Sequence, residues 1–139
     1  MDEKRPVSGV VTDSPQVFLR IEGAVLLAVS LFLYARYGQT WWLFALLLLA
    51  PDVGMLGYLA DTRVGATTYN LFHTYLGPAI LLIVGIAADR LATYSIAFIW
   101  FAHIGLDRVL GYGLKYRDGF KHTHLGVIGR AEGNLKYRI

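Results

Sequence analysis

Residues Trp41–Leu59 read WWLFALLLLAPDVGMLGYL, nineteen positions with one charged side chain. A run this apolar matches the roughly 20 residues that a helix needs to cross the hydrocarbon core of a bilayer. The lone charge, Asp52, lies in the second half of the run and directly follows Pro51. Proline has no amide hydrogen, so the carbonyl of Leu47 loses its helical partner; Gly54 and Gly57 follow close behind. A break of this kind at membrane depth is tolerated where freed carbonyls find protein partners or line a cavity. The stretch therefore reads as a transmembrane helix broken beside a buried carboxylate.

Three further apolar blocks flank it, at about 17–34, 66–88 and 91–112. Their separators, ARYGQT, ADTRVG and ADR, are short enough to force antiparallel neighbours. The expected fold is all-α, an integral membrane four-helix up-down bundle over 17–112. A polar tail, 1–16, precedes it and a basic, aromatic segment, 113–139, follows. Membrane strands are disfavoured because the apolar runs do not alternate. Of the 139 residues 55% are hydrophobic and 17% charged, which is too little charge for the surface of a soluble domain of this size. The polar start, lacking an apolar h-region, does not read as a signal peptide. Absence of cysteine excludes disulfides, thiolate metal sites and a cysteine nucleophile.

The net charge of +3 is distributed by face. Lys4, Arg5, Arg20, Arg63, Lys115, Arg117 and Lys121 fall on the side of both termini, whereas Arg36 and Arg90 alone fall on the other. The positive-inside rule then places both termini in the cytoplasm of a bacterial inner (plasma) membrane. Because the basic residues follow a membrane boundary and form no dedicated patch, nucleic acid is not an expected partner. Phosphate loops, dinucleotide fingerprints and nucleophile elbows are also missing.

Topology brings five polar residues to one depth. Glu22 lies near the start of the first span, Asp52 late in the second, His73 about two turns into the third, and His103 and Asp107 late in the fourth. At about 1.5 Å per residue all five sit on the order of 7–14 Å below the cytoplasmic boundary. Such groups are costly in hydrocarbon and by default mark a functional site. His103 and Asp107 are spaced i,i+4 and share a helix face, as a hydrogen-bonded pair or as two ligands of one metal. Tyr69 and Asn70 precede His73 by one turn, and Pro78 repeats beside His73 the break that Pro51 makes beside Asp52. The far leaflet is almost free of polar helix residues, which favours a pocket over a channel. Arg108 points about 100° from Asp107; it reads either as snorkelling to the headgroups or as neutralising an anionic substrate.

In the C-terminal segment, Tyr112, Tyr116 and Phe120 interleave with Lys115, Arg117 and Lys121, a mixture suited to the headgroup region. His122 and His124 form an His-x-His pair that reads as solvated, as a lid or as further ligands. The strings APDVGMLGY, YNLFHTY, WFAHIGLDRVLGYGLKY and GFKHTHLG resemble the family of small bacterial membrane proteins called domain of unknown function 4260, over about 18–129. That family more often has an acidic residue at the position of His122, which makes His124 the better ligand candidate. The resemblance implies the fold and the choice of residues but no reaction. A looser likeness, of pattern without alignment, is to YdjM-like membrane metal-dependent hydrolases.

Three function classes follow. The first is a metal-dependent hydrolase acting on a lipid or other hydrophobic molecule. His73, His103, Asp107 and His124 would bind a divalent ion such as zinc, with Asp52 or Glu22 as general base. Tyr58, Tyr69, Asn70, Trp100 and Arg108 would line the substrate pocket. The second is metal-free acid catalysis, a cyclase or isomerase whose carboxylic acid stays protonated in a dry pocket. The third is a non-enzymatic membrane ligand-binding or assembly protein, for which a homo-oligomer is the natural form.

Overall fold

The computed structural model describes residues 9–129; Lys4, Arg5 and the last ten residues of the tail lie outside the described residues. Helix α1, Asp13–Tyr37, is followed by α2, Trp41–Leu47, and by a ten-residue 3-10 helix, Ala50–Leu59. Helices α3, Thr62–His73, and α4, Leu76–Ala87, make up the third long helical stretch, and α5, Leu91–Leu110, the fourth. Three stretches, Asp13–Tyr37, Trp41–Leu59 and Thr62–Ala87, are long and apolar enough to cross a membrane. Val25, Phe32, Leu46, Ile80 and Ile83 stand exposed on them, as expected of helices that meet lipid.

The two prolines act differently. Pro51 ends α2: Asp52 N–H turns to the Leu49 carbonyl at 3.1 Å, and the chain winds on as a 3-10 helix. Runs of this form longer than three or four residues are uncommon and often mark functional places. Here the tighter winding presses Gly54 against α3, where Thr68 Oγ1 donates to the Gly54 carbonyl at 2.7 Å. In the third stretch the break falls at Thr74, whose extended ψ of 152° separates α3 from α4 and divides what reads in sequence as one span. Pro78 sits in the first turn of α4, where its missing N–H costs nothing.

Helix α5 is the axis of the bundle. Ala97, Ile99, Ala102, His103, Ile104 and Asp107 are all buried on it, and α1 and α4 pack along its length. Contact with α1 is backbone to backbone: a Cβ on Gly105 would lie 2.8 Å from both the Gly23 carbonyl oxygen and the Leu27 amide. Such small-residue contacts let membrane helices approach closely. Helix α5 stops at Gly111, φ 85°, a left-handed residue that lets Tyr112 N–H reach the Asp107 carbonyl at 2.7 Å.

The C-terminal segment folds back over this end. It contains a small antiparallel hairpin, β1 (His122–Thr123) and β2 (Gly126–Val127), a feature absent from the sequence expectation. Asn70 clamps it to α3, accepting from Lys115 N–H at 2.7 Å and donating to the Lys115 carbonyl at 2.8 Å. Val11 N–H bonds the His124 carbonyl and Gln16 the Leu125 carbonyl, both at 2.7 Å, so the start of the chain is tied to the same end.

Candidate metal centre

Asp52, His73, His103 and Asp107 meet at one point. One ligand atom from each lies within 4.8 Å of the others, and both imidazoles are buried. His73 Nε2 is 3.0 Å from His103 Nε2 and 3.3 Å from both Asp52 Oδ1 and Asp107 Oδ2. His103 Nε2 lies 3.4 Å from the same two oxygens. A tetrahedral zinc ion with bonds of about 2.0–2.1 Å sets its ligand atoms about 3.3–3.4 Å apart. Such a group can hold a metal ion.

Both rings are oriented from behind. His73 Nδ1 lies 2.8 Å from the Tyr69 carbonyl, and His103 Nδ1 lies 2.6 Å from the Leu48 carbonyl. A carbonyl only accepts, so each Nδ1 carries its proton and, in the neutral ring, each Nε2 presents a bare lone pair. Ligating histidines are typically fixed in this way. The Leu48 carbonyl is free for the task because Asp52 N–H has gone to Leu49. The proline break thus supplies the partner that aims His103. Tyr69 stacks on the His73 ring at 3.7 Å, with its hydroxyl 3.4 Å from Asp107 Oδ2.

Of the residues singled out from the sequence, Asp52, His73, His103 and Asp107 converge as ligand candidates. Glu22 does not join them: it is exposed on α1, because the neighbouring Gly23 faces α5. His124 does not join them either, since its Nδ1 accepts the Leu114 N–H at 2.8 Å. Burial, and then the Arg108 charge, hold the His124 imidazole below its ordinary range. His122 pairs with Asp118 at 2.7 Å, away from the cluster.

Arg108 is 5% exposed and turns inward to backbone carbonyls. It donates to the His73 carbonyl at 3.0 Å and the Tyr112 carbonyl at 2.8 Å, closing the C-terminal end of α3. Asn70 serves the tail clamp. Trp100 donates to the Phe72 carbonyl at 2.6 Å and lines a separate apolar cavity with Leu47, Pro51, Phe72 and Ile99. Tyr58 packs on Phe120 at 5.2 Å, with its buried hydroxyl lacking a partner among the described residues.

A second cavity, about 250 Å³, opens on the cluster itself and is lined by Asp52, Met55, Tyr69, Asp107, Lys115 and Phe120 among others. Lys115 was hidden among the basic residues of the tail. It is 4% exposed, donates to the Phe120 carbonyl at 3.0 Å, and lies 3.1 Å from the Phe120 ring centroid and 4.5 Å from that of Tyr69. Burial pushes its ammonium down to about 8, against the attraction of Asp107 and Asp52.

Fold and cluster together define a helical-bundle membrane protein with a two-histidine, two-aspartate centre beside a small cavity. The chain matches the family described as Domain of unknown function (DUF4260) over residues 16–128, and it belongs to that family. No curated protein and no solved structure matches it.

Proposed function

We propose that Asp52, His73, His103 and Asp107 bind a divalent cation such as zinc. The protein would then be a membrane metal-dependent hydrolase for a lipid or other hydrophobic substrate. One observation carries this reading: two imidazole lone pairs face each other at 3.0 Å between two carboxylate oxygens. Four electron-rich atoms at this spacing repel unless a cation lies among them. Imidazole and carboxylate without sulfur suit zinc.

A cation held by these four residues would activate a water and polarise the bond under attack. Asp52 is the group placed to assist. Its side chain is 35% exposed on the cavity, against 12% for Asp107. From there it would act as general base, taking the proton of a water that attacks an ester carbon or phosphorus. The leaving alcohol then takes that proton. The basic residues gathered at this end support a cytoplasmic placement for both termini and the cavity mouth, in the plasma membrane of a bacterium.

The 3.0 Å separation also suits a single proton shared between the two Nε2 atoms, which favours metal-free acid catalysis as the second reading. Metal analysis of the purified full-length protein separates the two. The metal reading expects about one tightly held divalent ion per chain, lost in His103→Ala. Finding no ion, or the same content in that variant, refutes it; activity that survives chelation and disappears in Asp52→Asn favours the second.

A further inference from the structure

We propose that the cavity beside the cluster receives a phosphate group, and that Lys115 is the residue that binds it. The inference rests on the metal reading above and names the substrate class for that site.

The argument is one of unmatched charge. Lys115 Nζ has three hydrogens, yet the Phe120 carbonyl is its one oxygen acceptor among the described residues; its other neighbours are the rings of Phe120, Tyr69 and Tyr58. Burial works against its charge, and Asp107 and Asp52 at a distance favour it. A divalent cation bound to those carboxylates would cancel their two negative charges, and imidazoles that ligate it would be neutral. Arg108 is occupied by two carbonyls. Lys115 is then a buried ammonium without a counter-charge, on the wall of the cavity that reaches the metal ligands. A buried amine keeps its proton only beside an anion, so protonated Lys115 and a bound anion favour each other in this cavity. Phosphate suits it better than carboxylate, because it carries more charge and has more oxygens, spread tetrahedrally, to share between the cation and the ammonium. Lysine is a common point-charge partner for phosphate. Lys115 would then neutralise oxygens of the phosphorus that a water attacks.

The test uses full-length protein in detergent, loaded with zinc, its metal content measured first. Inorganic phosphate, dihexanoyl phosphatidic acid and acetate are titrated separately by calorimetry. Phosphate is expected to bind about 10-fold or more tightly than acetate. Lys115→Met should weaken phosphate about 10-fold or more at unchanged metal content, and Lys115→Arg should restore most of the loss. Tighter binding of the phosphatidic acid than of inorganic phosphate identifies a lipid headgroup as the source; equal binding identifies a free phosphate or a small ester. If Lys115→Met does not fold, the phosphate preference of the unmodified protein still decides. Metal-loaded protein that binds no phosphate, prefers acetate, or binds phosphate equally well as Lys115→Met overturns the proposal alone. Protein that holds no metal overturns the parent reading as well.

Discussion

Replacing Pro51 with alanine should weaken the metal centre without touching a ligand. Alanine restores an N–H at position 51, free to bond the Leu47 carbonyl and continue α2 as an ordinary α-helix. In that winding the N–H of residue 52 returns to the Leu48 carbonyl, four residues back. In the native protein that N–H bonds Leu49 at 3.1 Å, and the Leu48 carbonyl instead receives His103 Nδ1–H at 2.6 Å. The substitution makes a backbone amide compete with the ring that the carbonyl holds. It also turns Asp52, the next residue, relative to His73 and His103. Loss of an outer partner of a ligating histidine typically lowers metal affinity about 10–100-fold, or about 1.4–2.7 kcal/mol. The fold itself should survive, since one regained intramembrane hydrogen bond contributes only about 0.6 kcal/mol.

The assay is competition for zinc between purified Pro51→Ala protein and a chromophoric chelator, with thermal unfolding of the metal-free forms alongside. The expected pattern is unusual for a proline-to-alanine change in a helical segment: similar metal-free stability, with affinity reduced by one to two orders of magnitude. Affinity within about twofold of the unmodified protein would show that the Leu48 carbonyl does not orient His103. The link from the proline break to the site would then be wrong.

Two further outcomes separate what faces the cluster from what merely shares its depth. Glu22→Gln should leave zinc affinity within about twofold, while Asp52→Asn lowers it about 10-fold or more, since the exposed Glu22 reaches no ligand atom; equal losses in the chelator assay would contradict this placement. For His124 the folded value lies below the unfolded one, near 6.5, so the unfolded chain binds the extra proton. Its contribution to stability is complete above about pH 6.5 and is lost as pH falls below that value. Unfolding measured at pH 7.5 and 5.5 should show a larger acid loss for the native protein than for His124→Asn; identical losses would remove His124 from the hairpin's support.

Why four of the five intramembrane groups converge and one does not shows what a sequence of this kind encodes. Hydropathy and loop length fix how deep a residue sits, and depth alone put Glu22 in the same layer as Asp52, His73, His103 and Asp107. Azimuth comes from packing. On α1 it is set by Gly23, which meets the backbone of α5 and turns its neighbour outward. A glycine at that position could have signalled which face is inward, but only once α5 was known to be the partner. His103 and Asp107 were legible because an i,i+4 spacing carries azimuth within one helix. His124 and Lys115 were not, because the tail has no helical period to read; there a backbone pair with Asn70 and a two-residue hairpin decide what points inward. The proline breaks were visible as breaks, yet their effects differ: Pro78 merely starts α4, while Pro51 releases a carbonyl at the height of His103. A broken helix next to a carboxylate is thus more than a mark of irregularity. Its freed acceptor has to be satisfied at membrane depth, and in this protein a histidine satisfies it. The same hydrogen bond that removes the cost of the break also fixes which nitrogen the histidine turns toward the cluster.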